Sequence, residues 1–315
     1  MRDQMDERAE TLMHVSDTLD RSSFEVSDMC EAGASSFDIF ARKGILLLLL
    51  KVLANIDSFS QGQAIDLTNI ARFLSGYPLL IGRRTRNSYM ADGVVYERHG
   101  VYAINYETLE EILIREILPM VLAARGGYYV KIDSDHLKET RREYSISLGE
   151  LAANIGVSRR MVAKYENEGA MATFETAVRL EEFLDKSITV PLDIFSVPET
   201  VFSNVEIKSE FVRIILSRLS EIGFRVCPVR TAPFDALTEE DKNLMLTKVR
   251  RSNQGIGRDA KILKSISETV LTDAFFVVKH LKEKSLGGIP VIIKKELDEI
   301  EEPSALVEAL ARRRG

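Results

Sequence analysis

The chain has 315 residues, 45% of them apolar and 29% charged, which allows two or three domains with cores of their own and excludes a mainly disordered protein. Its net charge of -6 argues against wholesale coating of nucleic acid, although a local basic surface is enough to read DNA. The two cysteines, Cys30 and Cys227, lack CxxC spacing and are expected to be buried reduced thiols rather than a disulfide or a zinc site.

The acidic start, MRDQMDERAE, has no apolar signal core behind it, so the chain is expected to stay in the cytoplasm. An amphipathic helix is predicted in ERAETLMHVSDTL, then FEV (24–26) and SFDIFARKG. The apolar run Ile45–Leu50, broken by Lys51, falls far short of the roughly 20 residues that span a bilayer and reads as a strand buried on both faces. A helix-like AIDLTNIARFLSG leads into a second apolar strand, PLLIG. GRRTRN (82–87) would stand at that strand's end, where open α/β sheets bind ligands, and makes Arg83, Arg84 and Arg86 candidates for accessory phosphate contacts. Tyr89, Tyr96 and Tyr102 nearby either stack on bases or belong to the core. A strand and helix, HGVYAINYETLEEIL, close the segment.

In the middle, HLKETRREY (136–144) predicts an amphipathic helix. Ser147 and Glu150 form a capping box, Leu148, Leu151, Ala152 and Ile155 make one apolar stripe, and Gly156 supplies the left-handed residue that stops the helix. Ser158 caps the next helix, with Val157, Val162 and Tyr165 inward and Arg159, Arg160, Ala163, Lys164 and Asn167 outward, before Gly169 closes it. Thr173 caps FETAVRLEEFL, with Phe174, Ala177, Leu180 and Leu184 expected to face inward. Two helices joined by so short a turn place the second in a DNA major groove.

The remainder repeats the beginning. SEFVRIILSRLSEI, FRV (224–226), PFDALTEEDKNLMLTKV, AKILKSISETVLT, AFFVV and GGIPVIIKKELDEI follow the order of the first segment, and Asp235 precedes Lys248 by 13 positions as Asp38 precedes Lys51. Two copies at so long a period mean a duplicated domain, and the order of elements suggests a three-layer α/β unit. The expected layout is an α/β unit at 1–130, a four- or five-helix bundle at 131–197 and a second α/β unit at 198–315.

The bundle resembles the lambda-repressor/Cro-like helix-turn-helix family, through Leu148, Leu151-Ala152, Gly156-Val157-Ser158, Val162, Tyr165-Glu166 and Gly169. It departs from that family at Gly149, where Gln is frequent. The resemblance implies DNA contacts from Ser158, Arg159, Arg160 and Lys164; Ser147, Ala163 and Asn167 are further DNA-binding candidates beside them, and Arg141 and Arg142 on the first helix are candidates to clamp the backbone. The paired FD…K spacing resembles the restriction-endonuclease-like core, whose signature adds an acid two residues before the lysine. Leu49 and Leu246 stand at that position. The resemblance therefore implies degenerate nuclease folds with no catalytic residue and no metal, since a hard cation wants about two carboxylates. The whole chain resembles archaeal predicted transcriptional regulators with an internal helix-turn-helix. That implies a cytoplasmic, non-enzymatic regulator of double-stranded DNA, a homodimer with no cofactor, no membrane segment and no assigned effector. The alternative is a metal-dependent nuclease targeted by the same helix-turn-helix, and a third reading is a protein adaptor. The four histidines lack metal-ligand spacing, and no nucleotide-binding glycine motif occurs.

Overall fold

The computed structural model describes residues 2–30, 35–197, 207–241 and 243–314. The chain opens with α1 (Arg2–Arg21), β1 (Glu25–Val26), β2 (Ile39–Lys43), β3 (Leu46–Asn55), a 3-10 turn (Ile56–Ser58), α2 (Gln61–Leu74), β4 (Tyr77–Arg84), β5 (Val94–Arg98), β6 (Val101–Ile104) and α3 (Tyr106–Arg115). A hairpin, β7 (Val121–Ala124) and β8 (Gly127–Ile132), leads into α4 (Ser134–Glu143), α5 (Leu148–Ile155), α6 (Arg159–Asn167), β9 (Ala172–Thr173), α7 (Phe174–Leu184) and β10 (Thr189–Val190). The last part comprises α8 (Glu210–Glu221), β11 (Arg225–Pro228), β12 (Ala236–Glu240), β13 (Asn243–Arg250), α9 (Ile256–Val270), β14 (Asp273–Val278), β15 (Ser285–Leu286), β16 (Ile289–Ile293), α10 (Lys294–Glu299) and α11 (Pro303–Ala311).

The duplication is visible strand by strand. The first sheet runs β1-β2-β3-β4-β6-β5 and the second β11-β12-β13-β14-β16-β15, each antiparallel at its first two ladders and parallel at the next two. The strand β3 is buried on both faces because its even residues, Leu48, Leu50 and Val52, meet α1 and α3, while Leu47 and Leu49 meet the opposite layer. In the second unit α8, α10 and α11 cover one face and α9 the other. The short strand β15 and the terminal helix α11 were not foreseen from the sequence.

The layers carrying α2 and α9 face one another and share a single apolar cluster that includes Leu49, Leu67, Ile70, Leu246, Leu263 and Ile266. Phe37 and Phe234, each immediately before its unit's Asp, stack across this contact with ring centroids 6.2 Å apart. Polar groups fix the packing: buried Asp66 on α2 accepts from the backbone N–H groups of Arg230 and Thr231 at 3.2 and 3.1 Å and from the Thr231 hydroxyl at 2.7 Å. Arg42 donates to the carbonyls of Thr269 and Val270, the last turn of α9, at 2.8 and 2.9 Å. Equivalent elements from the two units thus meet within one chain. Cys30 and Cys227 are buried free thiols, and burial pushes them up to about 12 and about 11.

The hairpin β7–β8 extends the first sheet toward the bundle. Only two residue pairs, Val94↔Val121 and Val95↔Leu122, join β5 to β7. β8 then pairs with β9 and β10, and Val130 and Ile132 enter the bundle core with Leu137, Leu151, Val162 and Leu180. No helix among the described residues is long and apolar enough to cross a membrane.

Candidate nucleic-acid interface and remnant carboxylate sites

The bundle has four helices, each begun by a polar cap: Asp133, Ser147, Ser158 and Thr173. Ser147 and Glu150 make the capping box, and Gly156 ends α5 at φ +73°. The turn from Gly156 to Ser158 is three residues long. Ala152, 4% exposed, lies in the bundle core beside Val162 and Tyr165. Phe174 departs from the expected inward set: it is 50% exposed, because the buried stripe of α7 runs through Thr176, Ala177, Leu180 and Leu184 and the first helical residue falls beside it.

The outer face of α6 is built as anticipated, with qualifications at individual residues. Arg159 and Arg160 are exposed, and neither guanidinium has a hydrogen-bonding or ionic partner among the described residues. The first turns of α4, α5 and α7 carry Asp135, Glu150 and Glu175, whereas that of α6 carries no acid and two arginines. Cations there oppose the positive end of the helix dipole at about 0.3–1 kcal/mol each, and favour an external anion instead. Ser158 and Ser147 are exposed, their hydroxyls accepting from the N–H groups of Met161 and Glu150 at 3.2 and 3.1 Å. Lys164 lies 3.8 Å from Glu168, and half-buried Ala163 sits between the basic positions. Asn167 bonds back to the Ala163 carbonyl at 2.7 Å and accepts from Lys138 at 3.1 Å. Lys138 was missed by the sequence reading, although it lies in the same basic helix as Arg142.

Arg141 is a correction. Its guanidinium grips Glu166 through Nε at 2.5 Å and Nη2 at 3.0 Å and donates to the Ile146 carbonyl at 2.8 Å. With Glu166 2% exposed, the pair is internal to the bundle and ties α4 to α6, so this arginine is not free to clamp a phosphate. Arg142 stays exposed. Arg83 and Arg84 are likewise committed, to Glu10 and Glu7 of α1, because β4 ends beneath that helix. Arg86, exposed, is the one of that trio whose guanidinium makes no side-chain hydrogen bond or close ion pair among the described residues, although its charge acts on nearby Asp57. Tyr96 is core, Tyr102 half-buried and Tyr89 66% exposed.

The two Asp/Lys pairs occupy equivalent places. Asp38 N donates to the Leu50 carbonyl at 2.7 Å, as Asp235 N does to that of Thr247 at 2.9 Å; each carboxylate then accepts from the residue after its lysine, Val52 at 2.7 Å and Val249 at 2.8 Å. In the first unit the Asp38 carboxylate is met by Lys51 at 3.0 Å and by Arg8 of α1 at 2.8 Å, with both Asp38 and Lys51 side chains 1% exposed. Burial pushes the Lys51 ammonium down, and the Asp38 carboxylate opposes that shift. In the second unit Lys248 stands 3.4 Å from Asp235, at 13% and 23% exposure, and among the described residues no arginine joins that pair. Arg8 carries no local sequence signal, since its partner lies 30 residues away.

A divalent cation does not fit these sites. At Asp38 it would replace two cations already on one oxygen, and Leu49, fully buried in the contact between units, supplies no second ligand. Leu246 is equally buried in the second unit. The apolar contact accounts for leucine at these positions: a carboxylate at either would be buried in the contact between the units at a desolvation cost. No group of three or more His, Cys, Asp or Glu residues among those described is placed to hold a metal.

Residues 8–119 match the PD-(D/E)XK superfamily domain, and residues 137–190 match the helix-turn-helix family. Over nearly their whole lengths, archaeal proteins named “Putative HTH-type transcriptional regulatory protein” are similar to this chain. The one from Methanobrevibacter smithii is 37% identical over 98% of both chains, that from Pyrococcus furiosus 37% identical over 87% of this chain and 88% of its own, and that from Methanosarcina acetivorans 35% identical over 97% of both. The chain belongs to this family. In this chain a nuclease-like unit is followed by an internal helix-turn-helix, and the second α/β unit reproduces the strand order of the first.

Proposed function

We propose that the protein is a sequence-specific, non-enzymatic regulator that binds double-stranded DNA with α6 in the major groove. The observation that carries this reading is the acid-free first turn of α6 with two unpartnered arginines, an arrangement that weakens the isolated bundle and suits a phosphate or a guanine edge. Ser147, Ser158, Ala163, Lys164, Asn167 and Arg142 surround it, and Lys138 joins them through Asn167. The partition into 1–130, 131–197 and 198–315 makes the bundle the reader and the paired α/β units its support. One chain supplies one α6, so a palindromic operator calls for a second copy. The α2 and α9 layers already occupy each other, and a homodimer must use other surfaces.

The test is selection of bound sequences from a random duplex pool without divalent metal, with the full chain and with Arg159→Ala/Arg160→Ala. The expected result is an enriched motif whose binding weakens by about 1–3 kcal/mol per arginine, with a shallower salt dependence. Unchanged affinity in the double variant at physiological salt would overturn the assignment.

A further inference from the structure

A cleft of about 780 Å³ opens where the bundle's β7–β8 arm leaves the first α/β unit. One wall is the arm itself, Leu122 to Arg125 and Tyr128; the other is Asp57, the Thr85–Ser88 turn and the Glu97–His99 corner. The Asp57 carboxylate is fully engaged, accepting from Arg98 Nε at 2.7 Å and from Arg86 N at 2.5 Å, and these bonds hold its carboxyl below the usual range against the opposing effect of burial. Arg98 is thereby neutralised. That leaves the side chains of Arg86 and Arg125, one on each wall and neither in a side-chain hydrogen bond or ion pair among the described residues, with Arg86 in the field of Asp57 and exposed Glu97 adding a further opposing charge. Asn87, Ser88 and His99 add hydrogen-bonding groups along the rim.

We propose that this cleft binds a small phosphate ester, held between Arg86 of the first unit and Arg125 of the arm. Two guanidinium groups on opposite walls suit an anion able to accept from both. The placement also gives the ligand something to do. Leu122 both lines the cleft and forms half of the two-pair ladder that joins arm to unit, and β8 runs from the arm directly into the bundle core. A ligand bridging the walls fixes the angle at which the bundle is presented, because it binds the closed arrangement better than any in which the walls separate. The site stands on its own residues; its effect on DNA rests on the regulator reading.

The probe is inorganic pyrophosphate, titrated calorimetrically into the full chain in parallel with Arg86→Gln/Arg125→Gln and with Arg159→Ala/Arg160→Ala. Both altered pairs are exposed, so the variants should keep the fold, checked by their far-ultraviolet circular dichroism. The expected result is saturable binding that falls about tenfold or more in the cleft variant, the loss of a charge-assisted contact, and that persists in the α6 variant with at most a weaker loss. Pyrophosphate should also shift the affinity of the wild-type chain for its selected duplex and leave that of the cleft variant alone. No saturable binding, or equal binding by wild type and cleft variant, overturns the proposal. A cleft variant that loses duplex affinity without any probe present reassigns the two arginines to the DNA backbone and also overturns it. Failure of the regulator reading has a different signature: pyrophosphate binding persists while no duplex is enriched.

Discussion

Replacing Arg141 by Leu tests whether α4 and α6 are held by an ion pair or aimed at DNA. The guanidinium and the Glu166 carboxylate meet at 2.5 and 3.0 Å with exposures of 13% and 2%. At an effective dielectric near 20, charges about 3 Å apart attract by about 5–6 kcal/mol, most of it offset by the cost of desolvating both groups. Removing Arg141 alone leaves Glu166 buried without its cation and the Ile146 carbonyl without its donor, for a loss of about 3–5 kcal/mol. In a bundle of this size each kcal/mol moves the midpoint by about 4–8 °C, so the single variant should unfold at least about 12 °C earlier. Arg141→Leu/Glu166→Leu removes both charges together and should recover most of that loss, because a buried pair replaced by apolar groups is often close to neutral. The assay is hydrogen exchange across α4–α6 in the full chain, with thermal unfolding followed by circular dichroism. Duplex affinity of the double variant should match the parent within about twofold, with the salt slope unchanged. If the double variant is as unstable as the single, or if its salt slope falls by about one phosphate contact, the pair is not the device described and Arg141 touches DNA.

The carboxylate remnants should differ in cost. Asp38→Asn leaves Arg8 and Lys51 facing a neutral amide in a sealed site and should destabilise by about 3–5 kcal/mol, whereas Asp235→Asn, half-open and paired with one lysine, should lose about 1–2 kcal/mol; chemical denaturation distinguishes them. Neither change should alter a plasmid incubated with Mg²⁺, and nicking by the wild type that Asp38→Asn abolished would restore the nuclease alternative. Glu296 is held below its ordinary 4.5 by hydrogen bonds from Arg313, outweighing burial. A depressed carboxylate stabilises above its unfolded value and loses that contribution as pH falls through its folded value, so Arg313→Gln should lower stability most at neutral pH, flatten the acid limb below about pH 4.5 and converge with the parent at lower pH. Gly156→Ala forces a Cβ onto a φ of +73°, 3.1 Å from Arg179 Nη1, and should lower the bundle's stability by about 1 kcal/mol or more in thermal unfolding.

Local chemistry made much of this protein legible in its sequence. The caps at Ser147, Ser158 and Thr173, the stop at Gly156 and the period-3.6 stripes depend on residues within a few positions of one another, and the helix-turn-helix followed from them. The duplication was equally readable, because two segments with the same order of elements and the same Asp-to-Lys spacing fold to the same strand order. Arg159 and Arg160 stood out for the same reason: an exposed helical face is set by angle around one helix.

Only the tertiary structure decided which charges are free. Arg8 with Asp38, Arg141 with Glu166, and Arg83 and Arg84 with Glu10 and Glu7 pair across 25 to 77 positions, and nothing in the chain near each residue announces its partner. The meeting of the α2 and α9 layers is also a three-dimensional outcome, and it explains why leucine replaces the acid at 49 and 246: that face of each sheet closes on the other unit. Periodicity reports which side of an element is apolar, and packing alone determines what that side meets.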